Sequence, residues 1–234
     1  MHSKALSAAK LNFRNMKLAT IITGITVLAM LVQELVYIIL AENGNYAGWE
    51  SNPVGIGNYF YLLVILAAIF IPLQNFRKMV NLGAKRKDFF LGCAVNYVIL
   101  AAGASLVSIV LYYTFEQFML NYHAEGVLNV LPVFGWAANG PIVAFFQQFA
   151  FLLLFSSFIH TLAAAQDKWY GWVADAVIVV ILSVFIPIEP LRMALVWFFN
   201  MIIFQSAPLQ ILCCLVLAIV IYSLNKPILA RKVI

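Results

Sequence analysis

The sequence predicts an all-α, polytopic membrane protein of six transmembrane helices, with an N-terminal amphipathic interfacial helix and a short re-entrant outer segment before the last crossing. Three observations predict it. Hydrophobic residues fill 65% of the 234 positions and charged residues only 10%, at a mean hydropathy of +0.98, which is more apolar surface than one water-soluble core of this size hides. Several runs approach or exceed the roughly 20 apolar residues that cross about 30 Å of hydrocarbon. The cations fall almost entirely on the loops that one orientation places inside.

The elements follow in chain order. Over residues 3–17, at 100° per residue, Ala5, Ala9, Phe13 and Met16 form one stripe and Lys10, Arg14 and Lys17 the adjacent one, the pattern of a helix lying flat on an anionic surface. The first span, 18–40, is longer than a signal-peptide core, and AENGNYAGWE after it offers no small-x-small cleavage site, so it is expected to stay. Further spans are expected at 57–73, 89–113, 141–162, 172–188 and 209–224. Between the last two lies LRMALVWFFNMIIF, residues 191–204, bracketed by Pro190 and Pro208. As a helix it measures about 21 Å, too short to cross comfortably, and it reads as an outer re-entrant segment.

Charge orients the bundle. With six spans and both termini cytoplasmic, the inside collects Lys4, Lys10, Arg14, Lys17, Arg77, Lys78, Lys85, Arg86, Lys87, Lys168, Lys226, Arg231 and Lys232, thirteen of the fourteen cations, leaving Arg192 outside. Glu34, Glu42, Glu50, Glu116, Glu125 and Glu189 approach the outer face, while Asp88 and Asp167 stay inside. Trp169, Tyr170 and Trp172 suit the inner aromatic belt, and Tyr46, Trp49, Tyr59 and Trp136 the outer one.

Catalytic patterns are absent from the sequence. There is no G-x-x-x-x-G-K-[ST] loop and no H-E-x-x-H, so no ATP, cofactor or metal is expected on this chain. Ser105 and His160 belong to opposite depths of their spans, beyond hydrogen-bond reach, and 101–105 reads as a small-residue packing surface. Cys93, Cys213 and Cys214 are packing residues in this reading. The polar residues within spans that could line a cavity are Asn96, Gln147, Gln148 and Asp175, with hydrogen bonding between helices as the alternative.

The distinctive stretch is 75–88, which holds five cations in NFRKMVNLGAKRKD and runs on into Phe89 and Phe90. Its core, NLGAKRKDFF, with the preceding amphipathic helix, the six spans and the short segment before the last one, resembles the permease subunits of type-2 ATP-binding-cassette exporters in their small bacterial form. Many relatives carry a small hydroxyl residue where this chain has Lys85. The resemblance implies a plasma-membrane exporter of an amphiphilic peptide, lipid or drug. It further implies a separate ATPase subunit carrying ATP and Mg, a second copy or paralogous permease as partner, and no nucleic acid. The residues at the implied ATPase-coupling site are Arg77, Lys78, Met79, Val80, Gly83, Lys85, Arg86 and Lys87, with Met79 and Val80 as an apolar docking edge and Gly83 breaking the helix. The competing reading is an ATPase-independent sensor, assembly factor or channel-like protein.

Overall fold

The computed structural model describes residues 2–43, 53–122 and 126–231. Tyr46, Trp49, Glu50, Glu125 and Lys232, placed above in belts, faces or flanks, lie outside the described residues. Every element among the described residues is helical, apart from an isolated bridge between Val54 and Leu128. Five helices are long and apolar enough to cross a membrane, and a sixth is available if one strongly bent pair counts as a span.

Helix α1 (His2–Asn15) ends at Met16, and α2 (Lys17–Glu42) follows as a 26-residue rod that shows lipid-type side chains on most of its circumference, Leu18, Ile21, Ile25, Leu28, Val32 and Leu35 among them. The amphipathic reading of α1 needs a correction. Its buried face is Ala8, Ala9, Asn12 and Met16, and it packs on the third long helix, so much of the stripe expected on lipid rests on protein. Ala8 and Ala9 are small enough for the two backbones to approach, while Lys10, Arg14 and Lys17 stay exposed.

The second crossing runs on past its expected end. Helix α3 (Phe60–Phe70), a π-helical turn (Ile71–Asn75) and α4 (Phe76–Asn81) form a 26-residue unit with the 3₁₀ turn Ile56–Tyr59. Pro72 lacks an N–H and would clash in a regular helix, and the widened turn absorbs that fault. Phe76 and Met79 then continue the buried stripe, so the helix reaches Asn81. It stops in a Schellman motif. Gly83 adopts φ +82°, its N–H donates to Val80 O at 2.9 Å, and Ala84 N–H donates to Met79 O at 3.0 Å. The expected loop at 75–88 is therefore a helix end, a tight turn over 82–85 and the first residues of α5 (Arg86–Leu111).

With the π-helical turn Tyr112–Glu116 and α6 (Gln117–Met119), α5 makes a 34-residue unit, about 51 Å long and longer than a bilayer core. Short α7 (Val130–Val133) is capped by the Asn129 side chain, which accepts from Leu131 N–H at 2.8 Å. Helix α8 (Pro141–Ala165) is the centre of the bundle, packed on α3, on α5 and most extensively on α11 (Ala207–Ser223). Helices α9 (Trp169–Phe185) and α10 (Glu189–Phe199, extended by a π turn Asn200–Phe204) meet at 116°. Helix α12 (Asn225–Arg231) closes the described chain.

The core has two parts. One, around Phe76, Met79, Phe89 and Tyr97, lies at the end bearing the basic turn, and the other, around Trp136, Leu154, Ile203 and Cys214, lies at the opposite end. Trp136 is 1% exposed, so it is a core residue and not part of an aromatic belt.

Candidate functional site

Local folding sorts the predicted coupling residues into two sets. Arg77 and Lys78 project from α4, Gly83 and Lys85 sit on the turn, Lys87 lies in the first turn of α5, and all five are exposed. Leu82, not singled out from the sequence, is 74% exposed at the tip of the same turn. Met79 belongs to the second set. It is 1% exposed and packs in the core, and Val80 is partly buried against that core, so the pair is no exposed docking edge. The apolar i, i+3 pair Phe76 and Met79 faces inward because the helix continues through it.

Arg86 is also committed internally. Its Nη1 donates to Leu229 O at 2.8 Å and to Ala230 O, joining the start of α5 to the last turn of α12. Both carbonyls lie at a helix C-terminus, where a cation is favoured.

Behind the turn, a polar clamp ties α1 to the spans. Asn12, fully buried, donates from Nδ2 to Asn96 Oδ1 at 3.1 Å and to Cys93 Sγ at 3.6 Å, and its Oδ1 accepts from Asn75 Nδ2 at 3.3 Å. Asn96 Nδ2 in turn reaches Ala9 O at 3.1 Å. Thus α1, the π turn below α4 and α5 share one hydrogen-bonded unit, in surroundings where an unpaired amide is costly. Between α1 and the turn lies a cavity of about 290 Å³, lined by Ser7, Ala8, Leu11 and Leu82 among others.

The four polar residues considered for a cavity do not converge. Asn96 is in the clamp, Gln148 donates to Tyr61 Oη between α8 and α3, and Asp175 on α9 accepts from Gln166 Nε2 at 2.7 Å. Gln147 alone of the four lines the 480 Å³ cavity at the opposite end, where its Oε1 accepts from Asn139 Nδ2 at 3.0 Å. Elsewhere in the interior, His160 pairs its Nδ1 with the Tyr97 hydroxyl at 2.5 Å, while Ser105 is fully buried.

That cavity is walled by 132–136 on one side and 203–207 on the other. Its second wall is the end of the short segment after α10, where the helix opens and carbonyls lose their partners. Side chains replace them: Trp136 Nε1–H donates to Ile203 O at 2.9 Å, and Gln210 Nε2 and Cys214 Sγ donate to Ile202 O at 3.1 and 3.4 Å. These side chains satisfy the backbone carbonyls that the irregular turn leaves without helical partners.

The same end carries a second polar knot. Glu116, 2% exposed, accepts from Asn129 Nδ2 at 2.6 Å and from Gly57 N–H at 3.3 Å, and Gly55 passes so close that a Cβ would lie 2.6 Å from Glu116 Oε1. It ties residues 53–59 to 126–130, together with Gly55 N–H to Leu128 O at 2.9 Å. Glu116 was expected only as an outer-interface acid.

The clamp residues Asn12 and Asn75 were missed. A signal for Asn12 was present, since it falls three residues after Ala9 and four before Met16 on the apolar stripe, where an amide must find a buried partner.

Comparison with family models, with curated proteins and with solved structures finds no match to this chain.

Proposed function

We propose that the chain is the transmembrane permease subunit of a type-2 ATP-binding-cassette exporter, moving an amphiphilic substrate across the plasma membrane. ATP and Mg belong to a separate ATPase subunit, and a second permease copy or paralogue completes the assembly. The chain crosses six times with both termini cytoplasmic. Helix α9 supplies the fifth crossing, and α10 turns back toward the outer leaflet without crossing.

The observation that carries this reading is the exposed turn over 82–85 with its ring of cations, joined through the Asn12 clamp to α1 and α5. The Schellman motif holds the turn to the end of α4 by two backbone hydrogen bonds, so α4 and the turn form one unit. Leu82 at its tip is the apolar anchor, while Arg77, Lys78 and Lys85 supply charge for an acidic rim on the ATPase. The cavity beside Gln147 and the 203–207 wall is the exit region in this scheme.

The test is co-purification of a P-loop ATPase with the tagged chain, repeated for Leu82→Asp and Lys85→Glu. Both side chains are exposed, so insertion and folding stay intact. Loss of a central apolar anchor, about 2 kcal/mol, weakens association about 30-fold. Absence of any ATPase in the parent's complex, or full binding and transport by both variants, overturns the reading.

A further inference from the structure

We infer that the groove between the start of α5 and α12 is a binding site for the phosphate headgroup of an anionic phospholipid. It is a cavity of about 340 Å³ lined by Arg86, Lys87 and Lys226 with Phe90, Leu91 and Leu229. That volume falls in the range of small-ligand pockets, about 300–1,000 Å³.

Three features choose the ligand. The first is charge: two helices contribute three cations, and no carboxylate lines the groove among the described residues. The arrangement on α5 keeps it so. At 100° per residue, Arg86, Lys87, Phe90 and Leu91 share one face, whereas Asp88 lies about 130° from its centre and lines the cavity on the other side, beside α1. The second is amphipathy. Phe90 and Leu91 continue the groove up the helix, so one ligand meets cations at its head and apolar side chains along its tail, as a phospholipid does and a free phosphate does not. Leu91 is exposed, and Phe90 is held in place by Tyr222, whose ring packs at a 31° tilt with centroids 4.6 Å apart and whose hydroxyl donates to Phe90 O at 2.6 Å. The third is fixation. Arg86 is already held by the Leu229 and Ala230 carbonyls, so the two walls are joined before any lipid arrives.

The site rests only on the chain being a membrane protein and needs no ATPase. Its occupancy ties α12 to α5, because Lys226 and Lys87 come from different helices.

The experiment compares binding of dioleoyl phosphatidylglycerol and dioleoyl phosphatidylcholine to the detergent-purified chain by native mass spectrometry. The double variant Lys87→Gln/Lys226→Gln is set beside Arg77→Gln/Lys78→Gln, which removes the same charge from outside the groove. Arg86 is left in place because it holds α12. Phosphatidylglycerol is expected to be retained by the parent and by the Arg77/Lys78 variant, and to bind about 30-fold more weakly to the Lys87/Lys226 variant, the size of two cations at about 1 kcal/mol each. Millimolar inorganic phosphate is expected not to displace it. Equal losses in both variants would mean unspecific attraction and overturn the site. Displacement by inorganic phosphate, or equal retention of phosphatidylcholine, would overturn the lipid assignment. Circular dichroism melts of both variants confirm that loss of lipid does not follow from loss of fold.

Discussion

Replacing Asn12 by Ala is the sharpest probe of the clamp that joins α1 to the bundle. The substitution removes three contacts, to Asn96 at 3.1 Å, to Asn75 at 3.3 Å and to Cys93 Sγ at 3.6 Å. Two magnitudes compete. Soluble-protein costs for each orphaned buried group, about 1–3 kcal/mol, would give several kcal/mol in total. Interhelical hydrogen bonds measured in membranes average about 0.6 kcal/mol, because the separated helices find other partners, and three of them amount to roughly 2 kcal/mol. The second figure applies to a clamp set among spanning helices, and Asn96 keeps its bond to Ala9 O. About 2 kcal/mol raises the population of the open form about 30-fold, while the contacts of Ala8 and Met16 hold α1 in place most of the time. Cys93 is a built-in reporter, since its thiol is fully buried beneath Asn12. Its alkylation, followed peptide by peptide with mass spectrometry so that Cys213 and Cys214 are counted separately, is expected to accelerate about 30-fold in the variant. An unchanged Cys93 rate would refute the clamp.

Two further outcomes follow from the fold. Gly57→Ala places a Cβ 2.9 Å from Ser108 Cα and 3.1 Å from Ser108 O, backbone that cannot swing aside, so a loss of about 1–3 kcal/mol and a melting temperature lower by several degrees are expected, whereas Gly103→Ala, with nothing within 4 Å, is expected to hold or gain stability. For topology, a cysteine at Asn43 is expected to react with an impermeant thiol reagent in intact cells and one at Lys226 to be shielded, and reversal of that pattern refutes cytoplasmic termini.

Much of the architecture was legible because spanning helices write their length in consecutive apolar residues. The long helices fall where the apolar runs do, and the weak segment at 191–204 is part of a unit bent by 116°. What escaped depends on contacts between distant residues. Asn12 meets Asn75 and Asn96 across 63 and 84 positions, and nothing local to any of the three announces the others. Arg86 was grouped with the other cations of the coupling stretch, and only the fold brings the carbonyls of α12, 143 positions away, within 2.8 Å. The second span was expected to end at 73, short of the cation Arg77, while the π turn that accommodates Pro72 and the inward face of Phe76 and Met79 prolong it to Asn81. Gly103 sat in a run of small residues and was read with them as a packing surface, yet Ala101 and Ala104 turn inward and Gly103 outward.

The bent pair α9–α10 touches the rest of the chain chiefly at its two ends. At the near end Gly171, the one buried residue of α9, lies so close to the end of α8 that a Cβ would sit 2.4 Å from Ala165 O. At the far end Ile202 and Ile203 are held by Trp136, Gln210 and Cys214. Between them no residue of α10 is buried, and at the corner over 186–188 the Arg192 side chain reaches back, its Nη1 donating to Ile186 O at 3.4 Å. In kinematic terms this is a two-bar linkage with pinned ends and a single elbow. Its bars have fixed length, so any change in the distance between Gly171 and Ile203 must appear as a change of angle at the elbow, and conversely whatever grips the bars from outside acts on the two pins.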